Sequence, residues 1–302
     1  MANGILLYTT LAGGRNWPIA FSPGKLLAII PTRPDMLIFA NAKINLGLFL
    51  TEKRADGYHN LETVFYPIHI FDVVEIIDDE RTSCTIKGMA IPGEEHDNSC
   101  LRAYKRLQED FKLPHQQIVL LKNIPIGAGL GGGSADAAFL VKLVNQKFKL
   151  GLTSLQMQDY AREIGADCAF FIENKPVFAH GKGDEFEPIS LDLSTRFIVL
   201  VKPSIHVSTL EAYRNVKVKV PQVSLKDLIH LPLAEWKSQV FNDFEASIFE
   251  KFPQIDEIKT MLYAAGATFA AMSGSGSSVY AIFEQAVSLP ALEKNHQVFY
   301  NV

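Results

Sequence analysis

Apolar and polar positions along the chain change texture three times. From Lys43 they alternate: Ile44, Leu46, Leu48 and Leu50 share one face, Asn45 and Gly47 the other. A period of two predicts a half-buried strand, preceded by an apolar strand at 36–40. The Asp56-Gly57 pair marks a turn within 54–59. Strands are then expected at 62–70, 72–78 and 83–87, and a short one at 117–121. Asn98 is placed to cap a helix whose stripe is Leu101, Tyr104, Leu107 and Phe111. A glycine-rich loop runs into a helix at 134–146. Thr153 and Gln156 have the spacing of a capping box, opening a helix that ends near Gly165.

Residues 196–202 predict a buried strand, and the texture shifts again around 190–203. Helices are expected at 225–229, 243–250 and 254–265. The last carries Ile255, Ile258, Leu262 and Ala265, with Gly266 as its stop. Two strands, 268–272 and 279–283, close the pattern around a Ser/Gly loop. Residues 1–35 differ from the rest: Gly13-Gly14 and four prolines interrupt them with no clean period. They lack the basic start of a signal peptide and the Ser/Arg content of a transit peptide. Residues 1–35 are read as an upstream extension, as from a misassigned start codon; an ordinary N-terminal arm is the alternative. The expected domains are 36–192 and 193–302.

Composition narrows the class. With 302 residues and 48% hydrophobic content, the chain is neither disordered nor collagen-like, and its length suits two domains. A net charge of −4 gives no electrostatic reason to expect nucleic acid. Cys84, Cys100 and Cys168 have no C-x-x-C spacing, so they predict buried thiols in a reducing cytoplasm, not a disulfide framework or a zinc site. No apolar run approaches the ~18 residues of a membrane span.

The strongest chemical signal is the segment 125–138, where Gly127, Gly129, Gly131, Gly132 and Gly133 fall within seven residues just before a helix. Glycines let backbone N–H groups turn inward, and a helix start adds unpaired donors and a positive dipole end. Together they make a phosphate cradle. Gly127-x-Gly129-x-x-Gly132 satisfies the dinucleotide fingerprint, yet no acidic residue follows at the end of a second strand. Nor does a lysine follow the last glycine, as a Walker A loop requires. Positive charge must come from Mg²⁺ or a distant lysine. Ser134 is placed to offer a hydroxyl to that metal or to a phosphate oxygen.

Lys43 and Asn45 share a strand face and suit either a substrate hydroxyl or solvent. Asp167, just before an apolar run, is either a base or a helix cap. Tyr58 and His59 suit stacking on a planar base. The 273–278 loop permits close backbone approach, or is a bare hairpin loop.

Taken in order, the Lys43 strand, the 125–138 loop and the 273–278 loop resemble the GHMP kinase superfamily over about 36–285. Ala42–Leu46, Lys53–His59, Gly165–Asp167 and Phe241–Glu245 narrow the resemblance to its branch acting on a cytidyl diphosphate sugar alcohol. The resemblance implies an α+β, two-domain fold: an N-terminal domain like ribosomal protein S5 domain 2, then a ferredoxin-like domain, with ATP and substrate in the cleft. It implies ATP-dependent phosphorylation of the 2-hydroxyl of 4-diphosphocytidyl-2-C-methyl-D-erythritol, an isoprenoid precursor. Asp167 resembles the catalytic base and Lys43 its partner. Pro125, Gly127, Gly129, Leu130, Gly131, Gly132, Gly133 and Ser134 would wrap the ATP phosphates, with Ser134 as a Mg²⁺ ligand. Asn45, Tyr58, His59, Tyr213, Gly274, Ser275 and Gly276 would hold the substrate, Tyr58 and Tyr213 sandwiching its base. The adenine site is placed loosely at 97–101. A monomer or weak homodimer with a small-molecule substrate, without nucleic acid or membrane, is expected. Ala169 stands where relatives commonly carry proline.

Overall fold

A computed structural model describes residues 36–90, 98–214, 216 and 218–302, with the strand backbone of 5–11, 15–22 and 25–26. Strands β1 (Ile5–Leu11), β2 (Arg15–Ser22) and β3 (Lys25–Leu26) form an antiparallel sheet that shares no ladder with the other two. Of the extension, therefore, strands are seen where no period was legible.

Two long strands organise the N-terminal domain. β4 (Met36–Lys53) and β5 (His59–Asp78) pair antiparallel from Met36 opposite Ile76 to Lys53 opposite His59. The turn between them is the expected one: Asp56 accepts from Arg54 and from the Tyr58 amide, and Gly57 takes φ +87°. The strands expected separately at 62–70 and 72–78 are one. The local break in pattern is a bulge, where the register shifts between Asn41 and Ala42 opposite Phe71 and Ile68. β6 (Ser83–Gly88), β7 (Gln116–Lys122), β8 (Val177–His180) and β9 (Glu185–Pro188) complete this sheet in the order β6-β7-β5-β8-β9, with β4 on β5.

Helices α1 (Ser99–Phe111), α2 (Gly132–Phe148), α3 (Ser154–Ile164) and the short α4 (Phe170–Glu173) cover one face of the sheet. The Asn98 side chain accepts from Cys100 N, and the Thr153–Gln156 capping box is complete, as their spacing predicted. Val74, Ile76, Ile118 and Leu120 meet Leu101, Tyr104, Leu140 and Val144 there. Each such aliphatic side chain contributes roughly 1.5–3 kcal/mol by leaving water. Helix α2 begins at Gly132, two residues earlier than expected, because glycine itself enters the first turn.

The C-terminal domain is a four-stranded antiparallel sheet in the order β11-β12-β10-β13: β10 (Phe197–Lys202), β11 (Phe269–Met272), β12 (Val279–Phe283) and β13 (Gln297–Tyr300). Its helices are α5 (Thr209–Arg214), α6 (Leu225–Leu228), α7 (Leu233–Gln239), α8 (Glu245–Lys251), α9 (Pro253–Ala264) and α10 (Pro290–Glu293). One sheet face packs Val199, Val201 and Ala281 on Ile248, Ile255, Ile258 and Leu262. The other packs Leu200, Phe269 and Tyr280 against Ile44, Leu46 and Phe49 of β4. This is the expected α+β arrangement, and the 192/193 division falls in the connection between β9 and β10. β4 is not half-buried: from Ala40 to Leu50 both faces are covered. Its polar face is closed by two loops, through Lys43 N to Leu130 O (3.0 Å) and Asn45 N to Ser273 Oγ (3.2 Å). Polar residues that look solvated in the sequence thus line an enclosed site.

Candidate active site

A cavity of about 1110 Å³ opens where the two domains meet. Its floor is the polar face of β4. Lys43 and Asn45, two residues apart on a strand, point the same way, and Lys43 Nζ donates to Asn45 Oδ1 at 2.6 Å. The same amine reaches Gly129 O at 3.3 Å, lies 4.9 Å from the centre of the Phe65 ring, and sits 3.6 Å from Asp167 Oδ2. Asn45 is oriented in turn by Thr63 Oγ1, which accepts from Asn45 Nδ2 (2.9 Å) and donates to Gly47 O (2.6 Å). Asp167 stands on a 3-10 turn, Ala166–Ala169, immediately after Gly165 ends α3. Its carboxylate is 36% exposed, whereas the Lys43 side chain is only 5% exposed. Burial holds the Lys43 amine below the ordinary lysine range, and the Asp167 charge opposes that shift without cancelling it.

The glycine loop forms the wall above this pair. Gly131 caps α2, so the N–H groups of the first helical turn have no partner within the helix and face the cavity end of the loop. Gly129 is required by contact: with φ +75°, a Cβ there would lie 1.9 Å from Ser273 O. The 273–278 loop clasps it, as Ser273 Oγ donates to Gly129 O at 2.8 Å. That loop is held from behind by Asn242, whose Nδ2 donates to Met272 O and Gly274 O, both at 2.8 Å. Glu245 accepts from Met272 N, and Asp243 accepts from Leu50 N. The Phe241–Glu245 segment therefore ties the loop to β4.

Of the residues expected at the site, Lys43, Asn45, Asp167, Tyr213, Gly274, Ser275, Pro125 and the whole run Gly127–Ser134 line this one cavity. Tyr213 lies close enough that Asp167, after burial, helps push its hydroxyl up to about 12. His59 packs on Tyr213 with ring centres 5.0 Å apart, and burial lowers its pKa, helped by Lys53. Tyr58 is set apart from that pair: it is 63% exposed, with Lys182 Nζ 5.5 Å from its ring centre, and neither it nor His59 is among the lining residues. Gly276 turns its open side to Met272 and away from the cavity. Of the 97–101 segment, Asp97 lies outside the described residues and Leu101 is in the core. Asn98 and Ser99 line the far end with Thr85 and Ile86. Ser99 Oγ donates to Gly133 O at 2.9 Å, tying that end to the loop. Ser134 lines the cavity. Among the described residues no group of three His, Cys, Asp or Glu side chains could hold a metal ion.

Sequence reasoning passed over Thr63, Lys122, Lys182 and His206. Lys182 stood between Gly181 and Gly183, a turn signal that pointed to it. Lys122 ends a strand and carried no signal, yet it is buried at the loop between Asp72 and Asp136, 2.7 Å from the latter. Asp72 also accepts from Asn123 N and Ile124 N, fixing the strand end where the loop begins. Burial, and then the Asp72 charge, raise the Asp136 pKa despite Lys122; the two carboxylates together keep the Lys122 pKa raised against its own burial.

Known proteins share this layout. The GHMP kinase N-terminal domain family matches residues 98–175, and the GHMP kinase C-terminal family matches 224–301. A 4-diphosphocytidyl-2-C-methyl-D-erythritol kinase of Bacteroides fragilis is 53% identical over 252 residues, covering 82% of this chain and 92% of the relative. The chain belongs to that kinase family. A crystal structure of a 4-(cytidine 5'-diphospho)-2C-methyl-D-erythritol kinase superposes with a TM-score of 0.75 at 28% identity, over 88% of this chain and 98% of that one. Homoserine kinase from Cytophaga hutchinsonii, at 18% identity and TM-score 0.63, shares the fold. The kinase cavity described above is thus framed by both matched domains. Among the described residues no helix is long and apolar enough to cross a membrane.

Proposed function

We propose that this kinase transfers the γ-phosphoryl group of ATP to the 2-hydroxyl of 4-diphosphocytidyl-2-C-methyl-D-erythritol. The observation that carries the reading is the meeting of Lys43 and Asp167, distant in sequence, 3.6 Å apart beneath a glycine loop. Phosphoryl transfer needs little covalent help from a protein; positioning and charge neutralisation supply most of the rate. The triphosphate lies along the glycine loop, its oxygens accepting from the N–H groups at the start of α2. Asp167 orients the acceptor hydroxyl and takes its proton as the new P–O bond forms and the bond to the leaving ADP oxygen breaks. Lys43 pairs with Asp167 and stabilises charge on the attacking oxygen. Asn45, held by Thr63, contacts the sugar alcohol.

The cytosine is read at the Tyr213 end, where His59 and Tyr213 supply ring faces and a hydrogen-bonding edge. Tyr58, free on its turn, closes on the base from outside. Gly274 and Ser275 flank the substrate. Magnesium favours phosphate oxygens and waters with few protein ligands, which suits a site whose donors at the loop are Ser134 Oγ and the Asp167 carboxylate, the Asp136 carboxylate being taken by Lys122. Bound there, it would neutralise phosphate charge. Three buried thiols support a cytoplasmic setting.

The test is ATP consumption with and without the cytidyl substrate, and with mevalonate as a control. Turnover only with the cytidyl compound is expected. Turnover on mevalonate alone rejects the substrate assignment, and none with either rejects the reading.

A further inference from the structure

We infer that His206 is a phosphate-binding residue of this cavity, reaching over the glycine loop from the C-terminal domain to donate a ring N–H to a phosphate oxygen. The inference rests on the kinase reading above, because it takes the loop's ligand to be a phosphate chain. His206 follows β10 on a connection fixed on both sides of it. Ile205 O accepts from Ser277 Oγ at 2.5 Å and from Lys202 Nζ at 3.1 Å. Val207 is buried, and Ser208 opens α5, its oxygens accepting from Glu211 N and Ala212 N. The backbone is pinned while the imidazole projects.

The ring lies on the α-carbon of Gly127. A Cβ at that glycine would be 2.4 Å from His206 Cε1 and 2.6 Å from Nδ1, but 3.7 Å from Nε2. One ring edge therefore rests on the loop, and Nε2 is directed away from it. His206 lines the cavity and, among the described residues, neither ring nitrogen has a hydrogen-bond partner.

Charge accounting makes this position chemically specific. Four side chains lining the cavity can carry positive charge: Lys43, Lys122, Lys182 and His206. Lys43 is engaged by Asn45, Gly129 O and Asp167, and Lys122 by Asp72 and Asp136. Lys202, at the end of β10, donates to Pro203 O and Ile205 O. That leaves Lys182, near the Tyr58 ring, and His206, on the glycine loop. The acidic groups lining the cavity are Asp136 and Asp167. A loop without its own lysine gains, through His206, a side-chain N–H donor. The phosphate belongs either to ATP or to the cytidyl diphosphate, and the two arms of the test separate them.

The kinase is assayed as wild type, His206→Ala and His206→Gln, varying ATP and the cytidyl substrate in turn. A charge-assisted hydrogen bond of the usual strength predicts a rise in KM of about 10-fold or more for one substrate in the alanine variant, larger than any change in kcat. Glutamine, which keeps a neutral donor, recovers part of it. A second readout is the His206 ring resonance of the wild-type protein titrated with ADP and with CDP; movement with one of them names the source. Unchanged KM for both substrates, or a ring resonance indifferent to both ligands, overturns the inference. If the wild type phosphorylates nothing while the ring still responds to ADP, the kinase reading fails and this one stands.

Discussion

Gly129→Ala isolates the contact that joins the two domains at the site. Gly129 has φ +75°, and the Cβ of alanine would stand 1.9 Å from Ser273 O, where real contacts stay above 3.0 Å. The loops must therefore part by at least about 1.1 Å, the difference between those two distances. The obstacle is a backbone carbonyl, so no side-chain rotation relieves it. Left-handed backbone costs alanine about 1–2 kcal/mol. Parting the loops strains the Ser273 Oγ bond to Gly129 O, a hydrogen bond worth about 1 kcal/mol net. Together these predict a stability loss of about 2–3 kcal/mol in urea denaturation. Activity should fall further, because a displacement of about 1 Å in a positioned site costs about 10²-fold. Gly133→Ala, four residues on, is the control. A Cβ there meets only Ser99 Oγ, at 3.8 Å, and alanine suits a helix better than glycine. It should be neutral or stabilising by up to about 1 kcal/mol. Equal effects of the two variants on stability refute the reasoning.

Two further expectations come from buried charge. The Lys43 pKa is lowered by burial, so the ammonium that serves Asp167 is lost below the ordinary value of 10.5. The alkaline limb of the kcat/KM profile should therefore fall earlier than an exposed lysine would give. Stability from Lys43 runs the other way: between its folded pKa and 10.5 the unfolded chain binds the extra proton, so this contribution grows as pH rises. A profile flat to pH 10.5 contradicts the assignment. Lys122→Met leaves Asp72 and Asp136 buried without their cation and should cost about 3–5 kcal/mol, measured by denaturation. Asp136→Asn should cost far less, since burial already favours the uncharged carboxyl there. Similar losses for both variants reject that view of the cluster.

Local signals survived folding best. The Asn98 cap, the Thr153–Gln156 capping box and the Asp56-Gly57 turn each depend on neighbours in sequence, and each stands where its residues placed it. The pairing of Lys43 with Asn45 followed from strand alternation alone. Its meeting with Asp167 did not: the two are 124 positions apart, and only the family resemblance joined them. Burial of the polar face of β4 was illegible because both covering loops come from elsewhere in the chain. β5 was divided in two because the bulge opposite Asn41 breaks the alternation without ending the strand. Short elements such as β8, β9 and α5 lack enough turns or alternations to declare themselves. Lys122 and His206 gave no signal, since a lysine at a strand end and a histidine in a loop are ordinary until the fold brings the glycine loop to them.

Asp167→Asn tests the central arrangement most directly, with turnover and nucleotide affinity measured on the same protein. The substitution keeps the shape of the side chain beside Lys43 and removes its ability to accept the hydroxyl proton. A fall in kcat of about 10²–10⁴, with ADP binding by calorimetry unchanged, is the predicted result. Near-normal turnover in that variant contradicts the account.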